Sequence, residues 1–200
     1  MLITGIKSRP VYDRLEIIER AHRHIVVAQG SGGAAAIRLL DGLRSQPRPV
    51  EIFYSRQSFS GRDHADDLRA LGIGTVDLFE DNGALIAALA ARLADADLGT
   101  VLYLAGSETF IGLAMQVASS HNMKGDEVLR EHCGTFARRV MCVHCNAFND
   151  DITHRLFECG SCGETLIVRD HYSRAWAAFM GVKADAETPG LLPDDEELEA

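Results

Sequence analysis

Between Met141 and Leu166 the sequence runs MCVHCNAFNDDITHRLFECGSCGETL and holds four of the chain's five cysteines. They form two Cys-x-x-Cys pairs, Cys142 with Cys145 and Cys159 with Cys162, separated by thirteen residues. The thiolate is the metal-binding form of cysteine, and two such hooks brought together make a tetrahedral sulfur site, which selects Zn2+ or iron. Four protein ligands leave no position for water or substrate, so a metal held here is structural rather than catalytic. A redox-active dithiol needs a single Cys-x-x-Cys, commonly at a helix N-terminus, and ranks below both metals. His144 and His154 flank the ligands and read as solvated side chains. Cys133, outside the pairs, reads as a small buried hydrophobe.

Zinc is the expected metal. One-iron hooks of the rubredoxin type use the same four thiolates but favour glycine directly after the second cysteine, where backbone N–H groups face sulfur. Gly163 meets that preference after Cys162, whereas Asn146 follows Cys145. The iron-carrying alternative, an electron-transfer module, stays open. In either case the sixty residues from Met141 onward are poor in large apolar side chains, so a bound metal would supply folding free energy.

The preceding residues alternate strand-like and helix-like segments. HIVVAQ, VEIFYS, TVDLFED and TVLYLAG are short β-rich runs. Each is followed by a segment of helical period: AAAIRLLDGLR, HADDLRALG, ALIAALAARLADA and ETFIGLAMQVASS. Four successive βα units predict an α/β fold with a parallel sheet and helices on both faces. Ligands of such sheets bind outside the carboxyl ends of the strands, where strand order reverses. Two loops fall there. QGSGG contributes Gly30, Ser31, Gly32 and Gly33, whose backbone could approach a pyrophosphate at a helix N-terminus. LAGSETF contributes Gly106 and Ser107. Ser55 and Arg56 end the second strand, with Arg56 placed to meet a ribose phosphate. Tight-turn packing is the competing explanation for these small residues, because Gly-Ser-Gly-Gly is not Gly-x-Gly-x-x-Gly.

The order QGSGG, FYSR, LAGSE and DEVLREHCGTF resembles the pyridine-nucleotide lobe of ferredoxin reductases over about residues 23–136. In that family the matching segments are a Gly-rich loop, an aromatic-x-x-Arg, a Cys-Gly-Pro and a late Glu-x-Phe. The resemblance implies NAD(P)H binding. The family's cysteine beside the nicotinamide aligns with Ala105, however, and its proline with Ser107. Only 23 residues precede the first strand, too few for the flavin barrel those reductases carry. The lobe is thus expected either to work against a flavin on another chain or to serve as a scaffold.

Composition narrows the partners. A ribbon that grips nucleic acid presents a basic face to phosphate. Here the net charge is −9, and nearly all the acidic excess falls after residue 140, where Arg155, Arg169, Arg174 and Lys183 face twelve Asp and Glu. Nucleic acid is not an expected ligand. The most apolar window, ALIAALAARLA, is eleven residues long and contains Arg92, too short to span a bilayer. With no basic-then-apolar leader and with cysteines at metal spacing, a cytoplasmic protein is expected.

The sequence therefore divides into a nucleotide-binding-type lobe at 1–135, a metal module at 136–188 and an acidic tail at 189–200, expected to be disordered or partner-bound. TLIV reads as a ribbon strand, RDHYSR as a salt-bridged turn, and Trp176, Phe179 and Met180 as one helix face. From LITGIKSRPVY, through the paired cysteines, to RDHYSRAWAAFMGVKADAETPG, the chain resembles the small-subunit family of bacterial dimethylamine monooxygenases. That resemblance implies a heteromeric enzyme using NAD(P)H and O2 to convert dimethylamine to methylamine and formaldehyde. A haem oxygenase subunit and a reductase subunit carrying FMN and an iron–sulfur centre would be the partners. This chain would have no catalytic residue of its own and no activity alone. Its lobe would deliver NAD(P)H to the partner flavin or, degenerate, act as a scaffold.

Overall fold

A computed structural model describes residues 8–45, 48–57, 62–123 and 125–198. Leu2–Lys7 of the amino-terminal signature, and the last two residues of the tail, lie outside them. The chain divides into two compact units, Tyr12–Thr135 and a second that joins residues 8–11 to 136–198. Residues 8–11 group with the second unit rather than with the lobe to which chain order assigns them. The Ser8 N–H donates to the Asp170 carbonyl (3.2 Å), the Ser8 hydroxyl accepts from Tyr172 N–H (2.9 Å), and Arg9 grips both Asp170 carboxylate oxygens.

The first unit is the α/β lobe. Its strands are β1 (Arg23–Gln29), β2 (Val50–Ser55), β3 (Thr75–Phe79), β4 (Thr100–Gly106) and β5 (Val128–His132). Its helices are α1 (Gly32–Leu43), α2 (Ala65–Ala70), α3 (Asn82–Ala94) and α4 (Glu108–Ser120). The sheet is parallel throughout, in the order β3-β2-β1-β4-β5. Strand order reverses between β1 and β4. The fifth strand has no signature in the sequence, because VLREH lacks a continuous apolar run.

Both faces of the sheet are covered, which is why β1 and β4 read as unbroken apolar runs. Val26, Ala28, Tyr103 and Ala105 pack under Leu39 and Leu40 of α1 and Leu68 of α2. Ile25, Val27, Leu102 and Leu104 point the other way, against Leu85 and Leu89 of α3 and Phe110 and Ala114 of α4. Leu85, Leu89 and Leu93 recur every fourth residue and form the buried face of α3. Among the described residues no helix is long and apolar enough to cross a membrane.

The second unit is a five-stranded sheet of β6 (Arg138–Cys142), β7 (Phe148–Ile152), β8 (Leu156–Glu158), β9 (Thr165–Ser173) and β10 (Ala178–Lys183), ordered β7-β6-β10-β9-β8. Two local expectations fail here. The helix face of Trp176, Phe179 and Met180 does not form, because β10 pairs in parallel with β6 and antiparallel with β9, and two-sided ladder pairing outweighs local helical spacing. Phe179 is buried, whereas Trp176 lies in the preceding turn, exposed. Arg169–Ser173 of RDHYSR form the second half of β9, and only Arg174 enters the turn that follows. The acidic tail is partly ordered: Glu197 bridges His154, Arg155 N–H donates to the Glu196 carbonyl, and Leu198 N–H donates to Thr153.

Candidate metal centre and the strand ends of the lobe

The two cysteine hooks are built alike. Cys142 ends β6, and its N–H donates to the Ala147 carbonyl while its own carbonyl accepts from Asn146 N–H. Cys159 follows β8, with its N–H on the Glu164 carbonyl and its carbonyl taking Gly163 N–H. Each turn requires a left-handed residue directly after the second cysteine, Asn146 at φ 60 and Gly163 at φ 71. Asparagine tolerates that region better than other side chains. The residue difference that set the hooks apart in the sequence therefore makes no difference to the backbone.

The hooks converge. All four sulfurs lie within 4.8 Å of one another, with Cys142 Sγ 3.8 Å from Cys162 Sγ and Cys145 Sγ 3.7 Å from Cys159 Sγ. Sulfurs at about 2.3 Å from one tetrahedral ion stand about 3.8 Å apart, so this spacing fits a metal. It is far longer than a disulfide bond of about 2.05 Å. Cys142 and Cys159 are buried, Cys145 is partly buried and Cys162 faces solvent. Burial opposes ionisation of Cys159, but the N–H groups of Cys162 and Ser161 and the Asn149 amide outweigh it and draw the thiol below its usual range. No local pattern in the sequence marks Asn149 beyond an amide-bearing side chain four residues after a Cys-x-x-Cys, and only the fold brings it to Cys159.

Neither flanking histidine reaches the cluster: His154 Nδ1 pairs with Asp195 (2.9 Å), and His144 is exposed. Cys133 packs against the apolar layer under α1, and burial, with the charge of Glu131, pushes its thiol up to about 11, so it stays protonated.

At the carboxyl ends of β1, β2 and β4 the eight residues expected around a dinucleotide do assemble. Gly30, at φ 49, donates its N–H to the Ser55 carbonyl (3.0 Å). Ser31 precedes α1, and its side chain makes no capping hydrogen bond there. Gln29 spans the reversal point, its Oε1 accepting the Ser107 N–H at 3.0 Å. Ser107 caps α4 by accepting Phe110 N–H (3.4 Å), and the Gly106 carbonyl accepts from Cys133 N–H.

Much of this small-residue content serves packing. A Cβ on Gly32 would stand 2.2 Å from the Ala105 carbonyl oxygen, and one on Gly33 would stand 2.5 Å from the His64 side chain. Arg56 is already paired, with Asp63 at 3.4 Å and Glu80 at 3.2 Å. A cavity of about 590 Å³ lies at the other end of the sheet, where Arg23, Arg48, Glu51 and Thr75 line it.

Comparison with known proteins settles the family. The model of the dimethylamine monooxygenase subunit DmmA-like N-terminal domain matches residues 4–128, and that of the DmmA-like C-terminal domain matches residues 139–182. The chain belongs to the DmmA-like family. A relative, the heme-dependent oxidative N-demethylase delta subunit of Ectopseudomonas mendocina (strain ymp), is 28% identical over 93% of this chain and 94% of its own length. Among solved structures, an intact type IV self-sufficient cytochrome P450 monooxygenase matches at 19% identity and a TM-score of 0.51, over 88% of this chain and 22% of that one. The flavohem-like FAD/NAD binding domain of nitric oxide dioxygenase from Vibrio cholerae matches at 16% identity and 0.46, over 63% and 56%. The DmmA-like chain thus has a parallel α/β domain followed by a small domain with four clustered cysteines.

Proposed function

We propose that this chain is the haem-free, zinc-bearing subunit of a cytoplasmic oxidative N-demethylase. The complex converts dimethylamine, O2, NAD(P)H and a proton to methylamine, formaldehyde, NAD(P)+ and water. The observation that carries this reading is the similarity, over nearly the whole length of both chains, to a heme-dependent oxidative N-demethylase delta subunit. The partners are a haem oxygenase subunit and a reductase subunit with FMN and an iron–sulfur centre. When bound, NAD(P)H supplies the hydride, and the partners' cofactors supply oxygen activation and electron transfer.

This chain's residues bind and orient. The Gly30–Gly33 loop would seat a pyrophosphate through the N–H groups of Ser31 and Gly32 at the start of α1, those of Gly30 and Gly33 donating to the Ser55 and Gly30 carbonyls. Ser55, Arg56, Gly106 and Ser107 complete the rim at neighbouring strand ends. Cys142, Cys145, Cys159 and Cys162 hold zinc as a structural ion, and no side chain of this chain has a part in bond breaking. Neither demethylation nor oxidase turnover is expected from it alone.

A second reading is favoured by particular contacts. Gly32 and Gly33 are occupied by packing against Ala105 and His64, and Arg56 is ion-paired. These support a scaffold whose lobe no longer binds a dinucleotide. Calorimetric titration of the assembled complex with NADH and NADPH separates the two. Arg56→Ala weakens binding under the first reading and leaves it unchanged under the second. Full demethylation by the partners without this subunit would overturn both. Elemental analysis tests the metal: about one zinc per colourless chain is expected, and a red, stoichiometric iron protein would replace zinc with the electron-transfer module.

A further inference from the structure

We propose that Asn149 is the positioning residue of the metal centre: it locks the second cysteine hook to the hairpin carrying the first and donates an amide N–H to the Cys159 sulfur. This rests on the reading of the four cysteines as a metal site.

Asn149 lies on β7 opposite Val140 of β6, the strand that ends at Cys142. Its Oδ1 accepts the Gly160 N–H at 2.9 Å, and its Nδ2 stands 3.7 Å from Cys159 Sγ, within range for a bond to sulfur. The same Nδ2 faces the carbonyls of Val140 and Ala147, each at 3.5 Å. Ala147 is also the acceptor for Cys142 N–H. One carboxamide therefore touches the backbone of both hooks and one ligand sulfur. The network sets its orientation, since the reversed amide would oppose its NH2 to the Gly160 N–H.

The chemistry calls for an amide. Four thiolates around a divalent ion leave a net charge of about −2, and a donated N–H offsets part of it while holding the sulfur in place. Aspartate is nearly isosteric and could still accept from Gly160, but it would set an anion against the thiolate. The two halves of the proposed role are thereby separable.

The test uses the full-length chain and its Asn149→Ala and Asn149→Asp variants. Zinc affinity is measured by competition with a chromogenic chelator, and the thiolate-to-metal charge-transfer band is recorded after Co2+ substitution. Asn149→Ala should hold zinc roughly 10- to 100-fold more weakly. Asn149→Asp should lose at least as much despite retaining the Gly160 acceptor, with a shifted cobalt band. Wild-type affinity and spectrum in Asn149→Asp would overturn the proposal by reducing the residue to a backbone clip. That variant also carries the test if Asn149→Ala does not accumulate. If both variants match a metal-binding wild type, this proposal alone falls. If the wild type itself takes up neither Zn2+ nor Co2+, the metal reading falls and this proposal with it.

Discussion

Among the described residues, the Tyr12–Thr135 lobe encloses its sheet between apolar layers of seventeen and thirteen buried residues, whereas the buried clusters of the second unit hold three residues each. One of those small clusters is Cys142, Cys159 and Leu166. The lobe rests on hydrophobic burial, while the second unit leans on ion pairs and, under the proposed reading, on the metal its cysteines would hold. Arg138 is buried with its guanidinium 4.3 Å from the Phe179 ring centre, and it reaches Asp170, which Arg9 also holds. Burial would raise Asp170, but the two arginines keep its carboxyl below the usual range. A sheet without a thick core is specified by a few directional contacts, and its loss should be abrupt when one of them goes.

The largest expected effect follows from that contrast. Removing the metal, or replacing Cys159 with Ser, should abolish protection from hydrogen exchange across residues 136–198 and leave β1 and β4 protected. Structural zinc contributes about 10–16 kcal/mol in small modules. Parallel loss of protection in β1 and β4 would break the comparison, because the lobe would then depend on the metal too.

The converse experiment strikes the lobe. Leu89, fully buried on α3, should cost about 2–5 kcal/mol as Leu89→Ala, read as an earlier unfolding transition with metal content unchanged. Gly32→Ala should cost about 1–3 kcal/mol by overpacking, since its Cβ meets the Ala105 carbonyl. A neutral Gly32→Ala would remove the packing role and return Gly32 to the ligand loop alone. Gly32→Val is for the same reason a poor probe of dinucleotide binding.

In the metal module, Asn146→Gly should be tolerated, whereas Asn146→Val should cost about 1–2 kcal/mol by forcing a β-branched residue into the left-handed region. Equal zinc affinity in the two variants would contradict the equivalence of the hooks.

The smallest effect is a pH dependence confined to the lobe. Burial, aided by Arg48, holds His24 below its ordinary 6.5, and burial does the same to His132 against the opposing Thr135 carbonyl. Both rings stay neutral in the folded lobe where the unfolded chain would protonate them. Stability is therefore complete above about 6.5 and falls as pH drops through the folded values. Urea unfolding monitored in the lobe on either side of that pH checks the sign, and a lobe more stable at the lower pH would refute it.

Legibility in the sequence followed the range of the interaction concerned. β2 and β4 are readable end to end because both faces of the sheet are covered, so Ile52–Tyr54 and Val101–Ala105 are apolar runs buried throughout. The clustered cysteines are legible as a candidate metal site because each Cys-x-x-Cys hook is a local turn. The fifth strand is illegible in the sequence because VLREH is only partly buried and owes its conformation to pairing with β4. The helix expected around Trp176 was overruled by β6 and β9, and the tail expected to be disordered carries Leu198 onto the small core around Phe179.

By itself the sequence determined what depends on neighbours a few residues apart: the βα alternation, the glycine-rich strand ends and the composition of the cysteine site. Tertiary structure alone decided the strand order that puts Gln29 beside Ser107, the packing that claims Gly32 and Gly33, the acidic pairing of Arg56, and the arrival of Asn149 at Cys159. Each of these joins residues whose separation along the chain carries no periodic signal. Only the closing of a sheet or the convergence of the cysteine hooks brings them within bonding distance.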